Sequence, residues 1–207
     1  VGKTIIFAQK LCSVSTTLRV DIQALYGLKQ LHDIGFIHHD IKPENLIFGD
    51  QAGGTDPQVL HVCNFGLSRD FVTKDGETMK TRKPRGNVEF RGTNLYASVS
   101  AADGNEQGRV DYLWSLMFVL AEMRLSELPW RRDKNRNETK RTYDDVELLR
   151  TSPPILLKIY TCLRTLNYSI RPDYLFIYRI FLSAMNEGGH KFNDLWDWEV
   201  DGFLQTL

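Results

Sequence analysis

The stretch His38-His39-Asp40-Ile41-Lys42-Pro43-Glu44-Asn45 sets a carboxylate, an ammonium and a carboxamide at spacings of two and then three residues. Transfer of a phosphoryl group asks for this trio: an acceptor for the attacking hydroxyl's proton, a cation for the phosphate oxygens and an oxygen ligand for a divalent metal. Asp40 reads as the base or hydroxyl-orienting group, Lys42 as the phosphate cation and Asn45 as the metal ligand. Glu44 reads as a peripheral or substrate-facing residue. A polar turn with helix-capping side chains could carry the same letters, so the weight falls on the residues that follow.

Downstream come Asn64-Phe65-Gly66, then Phe90-Arg91-Gly92-Thr93 and Tyr96-Ala97-Ser98. Gly108-Arg109, Asp111, Leu113-Trp114-Ser115-Leu116 and Leu128-Pro129-Trp130-Arg131 follow. Arg171-Pro172-Asp173-Tyr174 and Asp197-Trp198-Glu199 complete the series. In order and wording these phrases resemble the casein kinase I superfamily of protein kinases, and within it the tau-tubulin kinase-like branch. The resemblance covers almost the whole chain. Its first stretch is similar to the serine/threonine-kinase catalytic loop, with His39 where an Arg is usual.

The resemblance implies a mainly α fold with a small β-hairpin, the C-terminal lobe of a protein kinase, that is, the α+β kinase fold lacking its N-terminal lobe. One domain, 1–207, is expected, with the catalytic loop at 38–45, the activation segment at 64–100, a helical subdomain at 111–186 and a tail at 187–207. The implied activity is ATP-dependent phosphoryl transfer to Ser or Thr of a protein substrate. ATP and Mg are the implied cofactors, with Asn45 and Asn64 as the metal pair and Thr93 as the hydroxyl beside Asp40 and Lys42. Alternatively, Thr93 is a plain turn hydroxyl. Only 37 residues precede His38, so the Gly-rich loop, strand Lys and helix Glu of a complete kinase have no place. The chain as given is expected to be inactive in isolation.

Departures from the family pattern keep a second reading open. Asn64 stands where relatives carry the metal-binding Asp; it keeps one carbonyl oxygen and loses the charge, and magnesium favours anionic oxygens. Tyr112 stands where relatives carry the buried helix Asp that anchors the catalytic-loop backbone, with Asp111 adjacent. Leu95 replaces an Arg of a family anion site. These changes fit a pseudokinase, a binding or scaffolding module that kept the fold.

Basic residues form two clusters. Lys80, Arg82, Lys83 and Arg85 have no acid among them, and Arg131, Arg132, Lys134, Arg136, Lys140 and Arg141 are diluted by Asp133 and Glu138. Lys80, Arg82, Lys83, Arg85 and Arg131 are candidates to receive acidic peptide or phosphate, against the alternative of solvated loops. Gly2-Lys3-Thr4 echoes the end of a P-loop without the glycines that should precede it.

Equal totals of 26 basic and 26 acidic residues give the chain no overall attraction to nucleic acid or membrane, and neither is an expected partner. Three widely spaced cysteines, Cys12, Cys63 and Cys162, read as reduced thiols, which points to an intracellular, cytoplasmic or nuclear setting.

The elements that must position these groups follow from periodicity. Residues 1–12 suggest a short helix. Ser15 is a plausible N-cap for a longer one, with Leu18, Ile22, Leu25, Leu28 and Leu31 on one face and a stop at Gly35. Leu46-Ile47-Phe48 and Val59-Leu60-His61-Val62 read as two strands joined by a turn over 49–57. Residues 67–92 show no period. A buried helix is expected over 111–124, a basic loop over 131–141, and helices near 144–150, 154–165 and 173–186.

Overall fold

A computed structural model describes residues 11–50, 53–75 and 78–200. The short helix expected over 1–12 and the Gly2-Lys3-Thr4 echo fall essentially outside these residues, as does the end of the tail.

Helix α1, Val14–Asp33, forms where the apolar period predicts and buries Leu18, Ile22, Leu25 and Leu28. Its N-cap is Ser13, two residues earlier than Ser15, with its side chain accepting from the Thr16 N–H. Ser15 instead donates to Asp194, so the nearer serine takes the capping role. Gly35, at φ 90, ends the helix; a Cβ there would lie 2.5 Å from Val72 Cγ2, so both conformation and space demand glycine.

Strands β1, Phe36–Ile37, and β2, Leu46–Phe48, flank the catalytic stretch. β2 pairs antiparallel with β3, Leu60–Val62, in the register Leu46 to Val62 and Phe48 to Leu60. β1 pairs antiparallel with β4, Arg69–Asp70. These two small ladders bring the loop after β1 against the loop after β3. A third hairpin, β5 over Val72–Asp75 and β6 over Thr78–Thr81, lies in the segment for which no period was expected. Its exposed Thr78–Thr81 strand has no apolar face, so alternation gave no signal.

After a short α2, Val99–Ala102, comes α3, Arg109–Leu125, the central element, buried on several faces through Leu113, Leu116, Met117, Val119, Leu120 and Ala121. α4, Arg136–Thr142, occupies much of the expected basic loop. The remaining helices are α5, Asp145–Leu148, α6, Leu157–Arg164, preceded by a 3-10 turn at Pro154–Leu156, and α7, Tyr174–Glu187. The described residues are therefore mostly helical with few strands, and no helix among them is long and apolar enough to cross a membrane. No disulfide joins Cys12, Cys63 and Cys162.

The final described segment closes over the start of α1. Arg19, fully buried, donates to the carbonyls of Asp194 at 2.6 Å and Leu195 at 2.9 Å and lies 3.9 Å from the Trp196 ring centroid. Trp196 stacks on Trp198 and meets Phe48 of β2 edge-on, tying the tail to the hairpin.

Asp21 has no such compensation. It is fully buried in α1, and neither carboxylate oxygen has a hydrogen-bond partner among the described residues. Burial pushes its pKa well above 3.8. A raised folded-state pKa means the group costs stability progressively as pH climbs above the unfolded value. Asp21→Leu should therefore stabilise the fold by about 1–3 kcal/mol near neutral pH, with a smaller gain near about pH 4. Urea denaturation at both pH values checks this; a loss of stability at neutral pH would mean the carboxyl is satisfied in solution.

Candidate active site

The catalytic stretch is a loop braced from below by its own first residue. His38, fully buried, accepts the Asp40 N–H on Nδ1 at 3.2 Å and places Nε2 at 2.8 Å from the Cys63 carbonyl. Those partners require the neutral imidazole with its proton on Nε2. Burial lowers the pKa of this ring against the pull of the Cys63 carbonyl, which favours that neutral form. Lys42 begins a 3-10 turn, Pro43–Asn45, closed by the Asn45 N–H on the Lys42 carbonyl at 3.0 Å.

Three side chains then meet. Thr93 donates from Oγ1 to Asp40 Oδ1 at 2.6 Å, Lys42 Nζ lies 2.9 Å from Asp40 Oδ2, and Lys42 Nζ donates to Thr93 Oγ1 at 3.1 Å. Asn45 Nδ2 donates to the Asp40 carbonyl at 2.6 Å and reaches Asp40 Oδ2 at 3.3 Å. Asp40 is only 8% exposed. Burial pushes its pKa up, but Thr93, Lys42 and Asn45 together outweigh burial and hold the carboxyl below 3.8. The group is thus an anion at physiological pH, able to accept or orient a hydroxyl proton beside a cation.

Gly92 makes this convergence sterically achievable. At φ 110 its backbone passes the catalytic loop so closely that a Cβ would sit 2.2 Å from the His39 carbonyl oxygen. The residue before Thr93 must therefore be glycine for Thr93 to arrive at Asp40.

Asn64 arrives from the other side. It adopts the left-handed conformation, φ 65, which Asn tolerates better than most residues, and leads into the 3-10 turn Phe65–Leu67. Its Nδ2 donates to Asn45 Oδ1 at 3.1 Å. The two expected metal ligands are therefore adjacent, and one of the two lone pairs on the Asn45 oxygen accepts from Asn64. Both groups are neutral, and no cluster of three His, Cys, Asp or Glu able to hold a metal exists among the described residues. This donor set does not fit magnesium, which binds through carboxylate oxygens.

Tyr112 is buried and bonds to the backbone of the 38–45 loop. Its hydroxyl donates to Gln107 Oε1 at 2.9 Å and takes a backbone hydrogen bond from His39. Asp111 turns away: its carboxylate accepts from Ser98 Oγ and, at 2.7 Å, from the Gly108 N–H at the start of α3. It does not take over the loop. His39 itself sits at φ 70, with its ring 5.8 Å from that of Tyr112 and both ring nitrogens buried without hydrogen-bond partners among the described residues. The Tyr112–Gln107 contribution could be found in the sequence only through the missing acid at position 112.

Most of the basic candidates are already engaged. Arg82 pairs with Asp70, Arg85 with Glu106 and Arg131 with Glu122, each through a close ion pair. Lys80 lies on exposed β6 and Lys83 in the exposed stretch after it. These five do not converge on Asp40. Leu95 is buried, and its carbonyl accepts from Trp130 Nε1 at 2.9 Å.

Residues 4–172 match the family model described as protein kinase domain. The chain is 38% identical over 192 residues to a protein of Caenorhabditis elegans named as a serine/threonine-protein kinase; that alignment covers 91% of this chain and 55% of the relative. It is 34% identical over 191 residues to a serine/threonine-protein kinase of Dictyostelium discoideum, covering 91% of this chain and 38% of that one. It is also 34% identical over 193 residues to the inactive tau-tubulin kinase ttbk-6 of Caenorhabditis elegans, covering 90% and 67%. The chain spans about half the length of the first of these relatives and less of the second.

Two outcomes test the geometry. Thr93→Val should raise the Asp40 titration midpoint followed by carbon NMR, since it removes the leading donor to that carboxylate; an unchanged midpoint would break the triangle. The carboxylate also contributes stability that is lost as pH falls through its lowered pKa. Gly92→Ala should destabilise the fold by about 1–3 kcal/mol in denaturant titration, because both its φ and its contact with His39 are violated.

Proposed function

The chain belongs to the protein kinase family, and on that premise we propose that it forms the C-terminal lobe of a serine/threonine protein kinase of the casein kinase I superfamily, tau-tubulin kinase-like type, whose phosphate-side metal centre has been neutralised. Protein kinases in general use ATP and Mg and act on proteins. In the proposed reaction Asp40 receives or orients the Ser or Thr hydroxyl, Lys42 contacts the transferred phosphoryl oxygens and Thr93 fixes both. The carrying observation is the Asp40–Lys42–Thr93 triangle, with sides of 2.6, 2.9 and 3.1 Å. Thr93 beside the base supports serine/threonine chemistry. Asp40 is already ionised and aimed, so the hydroxyl half of the reaction is built from this chain's own residues.

The phosphate half is not. Asn45 and Asn64 bond to each other, and neither carboxamide carries the negative charge that would hold a metal against nucleotide phosphates. A bridging metal supplies several kcal/mol of transition-state stabilisation, and each 1.4 kcal/mol or so changes the rate tenfold. The same observation favours the second reading, a pseudokinase that binds or scaffolds. A relative named as an inactive tau-tubulin kinase is consistent with that reading.

The test is a two-lobed protein in which this chain follows the strand-rich, ATP-binding lobe of a relative. Phosphate incorporation is measured on Ser, Thr and Tyr peptides with Mg-ATP. Slow transfer to Ser and Thr is expected, abolished by Asp40→Ala and raised at least about tenfold by Asn64→Asp. No transfer from the wild type, with transfer appearing only in Asn64→Asp, would make the natural protein the scaffold. Transfer that survives Asp40→Ala would remove the assigned base.

A further inference from the structure

The turn that carries Thr93 toward the base hangs on a residue from a distant helix. Lys140 of α4 is only 5% exposed. Its ammonium donates to the Asn94 carbonyl and, at 2.8 Å, to the Ala97 carbonyl. Between these, the Leu95 carbonyl accepts from Trp130. Three carbonyls within four consecutive residues are thus held by side chains of the 130–140 stretch. The same turn is closed internally by the Tyr96 N–H on the Thr93 carbonyl at 3.1 Å and the Ala97 N–H on the Asn94 carbonyl at 3.2 Å.

A basic residue on a short, charged helix should be in water, and this one is not. Its Nζ lies 5.7 Å from the Phe118 ring centroid and 5.9 Å from that of Trp130, so two π faces and two carbonyl dipoles surround it. Among the described residues no carboxylate forms an ion pair with it. The charged groups lining the same cavity are otherwise engaged: Asp111 with Ser98 and Gly108, Asp145 with Arg164. Arg136, on the same helix, donates to the Trp130 and Arg131 carbonyls. Burial and the neighbouring Arg136 lower the Lys140 pKa to about 7, so the charge it keeps depends on those carbonyls being where they are. The converse also holds: the turn's backbone is where the ammonium can reach it.

We propose that Lys140 is a positioning residue for the transfer site, its ammonium clamping the Asn94–Ala97 turn and thereby setting where Thr93 meets Asp40 and Lys42. The positioning role rests on the assignment of Asp40, Lys42 and Thr93 made above; the clamp does not. Lys140 touches no reacting atom and acts through the backbone that follows Thr93.

The experiment uses the full chain, its Lys140→Met and Lys140→Arg variants, and NMR. Lys140→Met keeps the length and loses the donors. It should lower hydrogen-exchange protection at the Tyr96 and Ala97 amides by about tenfold and shift the Thr93 methyl resonance. Lys140→Arg, which retains a cation and its N–H groups, should restore much of both. In the two-lobed protein, Lys140→Met should lower kcat for peptide phosphorylation while leaving KM for ATP near the wild-type value. Wild-type protection and an unmoved Thr93 methyl in Lys140→Met would overturn the proposal. Should that variant fail to fold, through-bond couplings from Lys140 Nζ to the Asn94 and Ala97 carbonyl carbons in the wild type decide the matter, and their absence overturns the clamp. If the exchange and methyl signals respond but no two-lobed form transfers phosphate, the clamp stands and the enzymatic reading falls.

Discussion

A buried carboxylate kept ionised by three neighbours is the constraint around which this chain is arranged. Asp40 would be pushed toward its neutral form by burial, and only Thr93, Lys42 and Asn45 reverse that tendency. The three partners come from two backbone features. Lys42 and Asn45 need the tight 3-10 turn after the loop, and Thr93 needs the close passage at Gly92. Below, His38 fixes the Asp40 N–H while reaching the strand-end carbonyl of Cys63. The hairpins matter chiefly because they bring these turns together.

The two sides of the site differ in kind. On one side a carboxylate, an ammonium and a hydroxyl form a charged triangle with polar groups satisfied. On the other, two carboxamides satisfy each other. Asn64 retains the left-handed turn that its position requires, so the backbone of the site survives the loss of charge. Fold and electrostatics are separable here: the substitution leaves the scaffold in place and changes what the scaffold can attract. The catalytic-loop backbone is similarly kept by different chemistry, with a phenol hydroxyl at Tyr112 serving where an acid was expected.

Local pattern was enough for the elements whose partner is the core. The period through Leu18, Ile22, Leu25 and Leu28 gave α1, and the alternating strands at 46–48 and 60–62 gave the central hairpin. The contacts at Asp40, Lys42 and Thr93 were legible because residue types with strong chemical preferences stood in a resembling order. Elements without an apolar face were missed. α4 is built from Arg, Asn, Glu, Thr and Lys, and the β5–β6 hairpin carries little but polar and charged residues. The basic clusters misled for a related reason. Arg85 finds Glu106 and Arg131 finds Glu122, pairings that only the fold creates. Lys140 is the sharpest case, since nothing in its neighbourhood of like charges announces a buried side chain.

The strap that Arg19 grips carries a consequence for how the chain is made. The guanidinium is buried only when the carbonyls of Asp194 and Leu195 arrive, and the Ser13 N–H likewise waits for Asp197. A ribosome adding roughly 5–20 residues each second would leave that cation in solvent for on the order of ten seconds or more after its own synthesis. The first helix therefore emerges with its hydrophobic stripe and a charge whose final neighbours do not yet exist. Closure of the lobe over α1 therefore waits until residues 194–197 have left the exit tunnel.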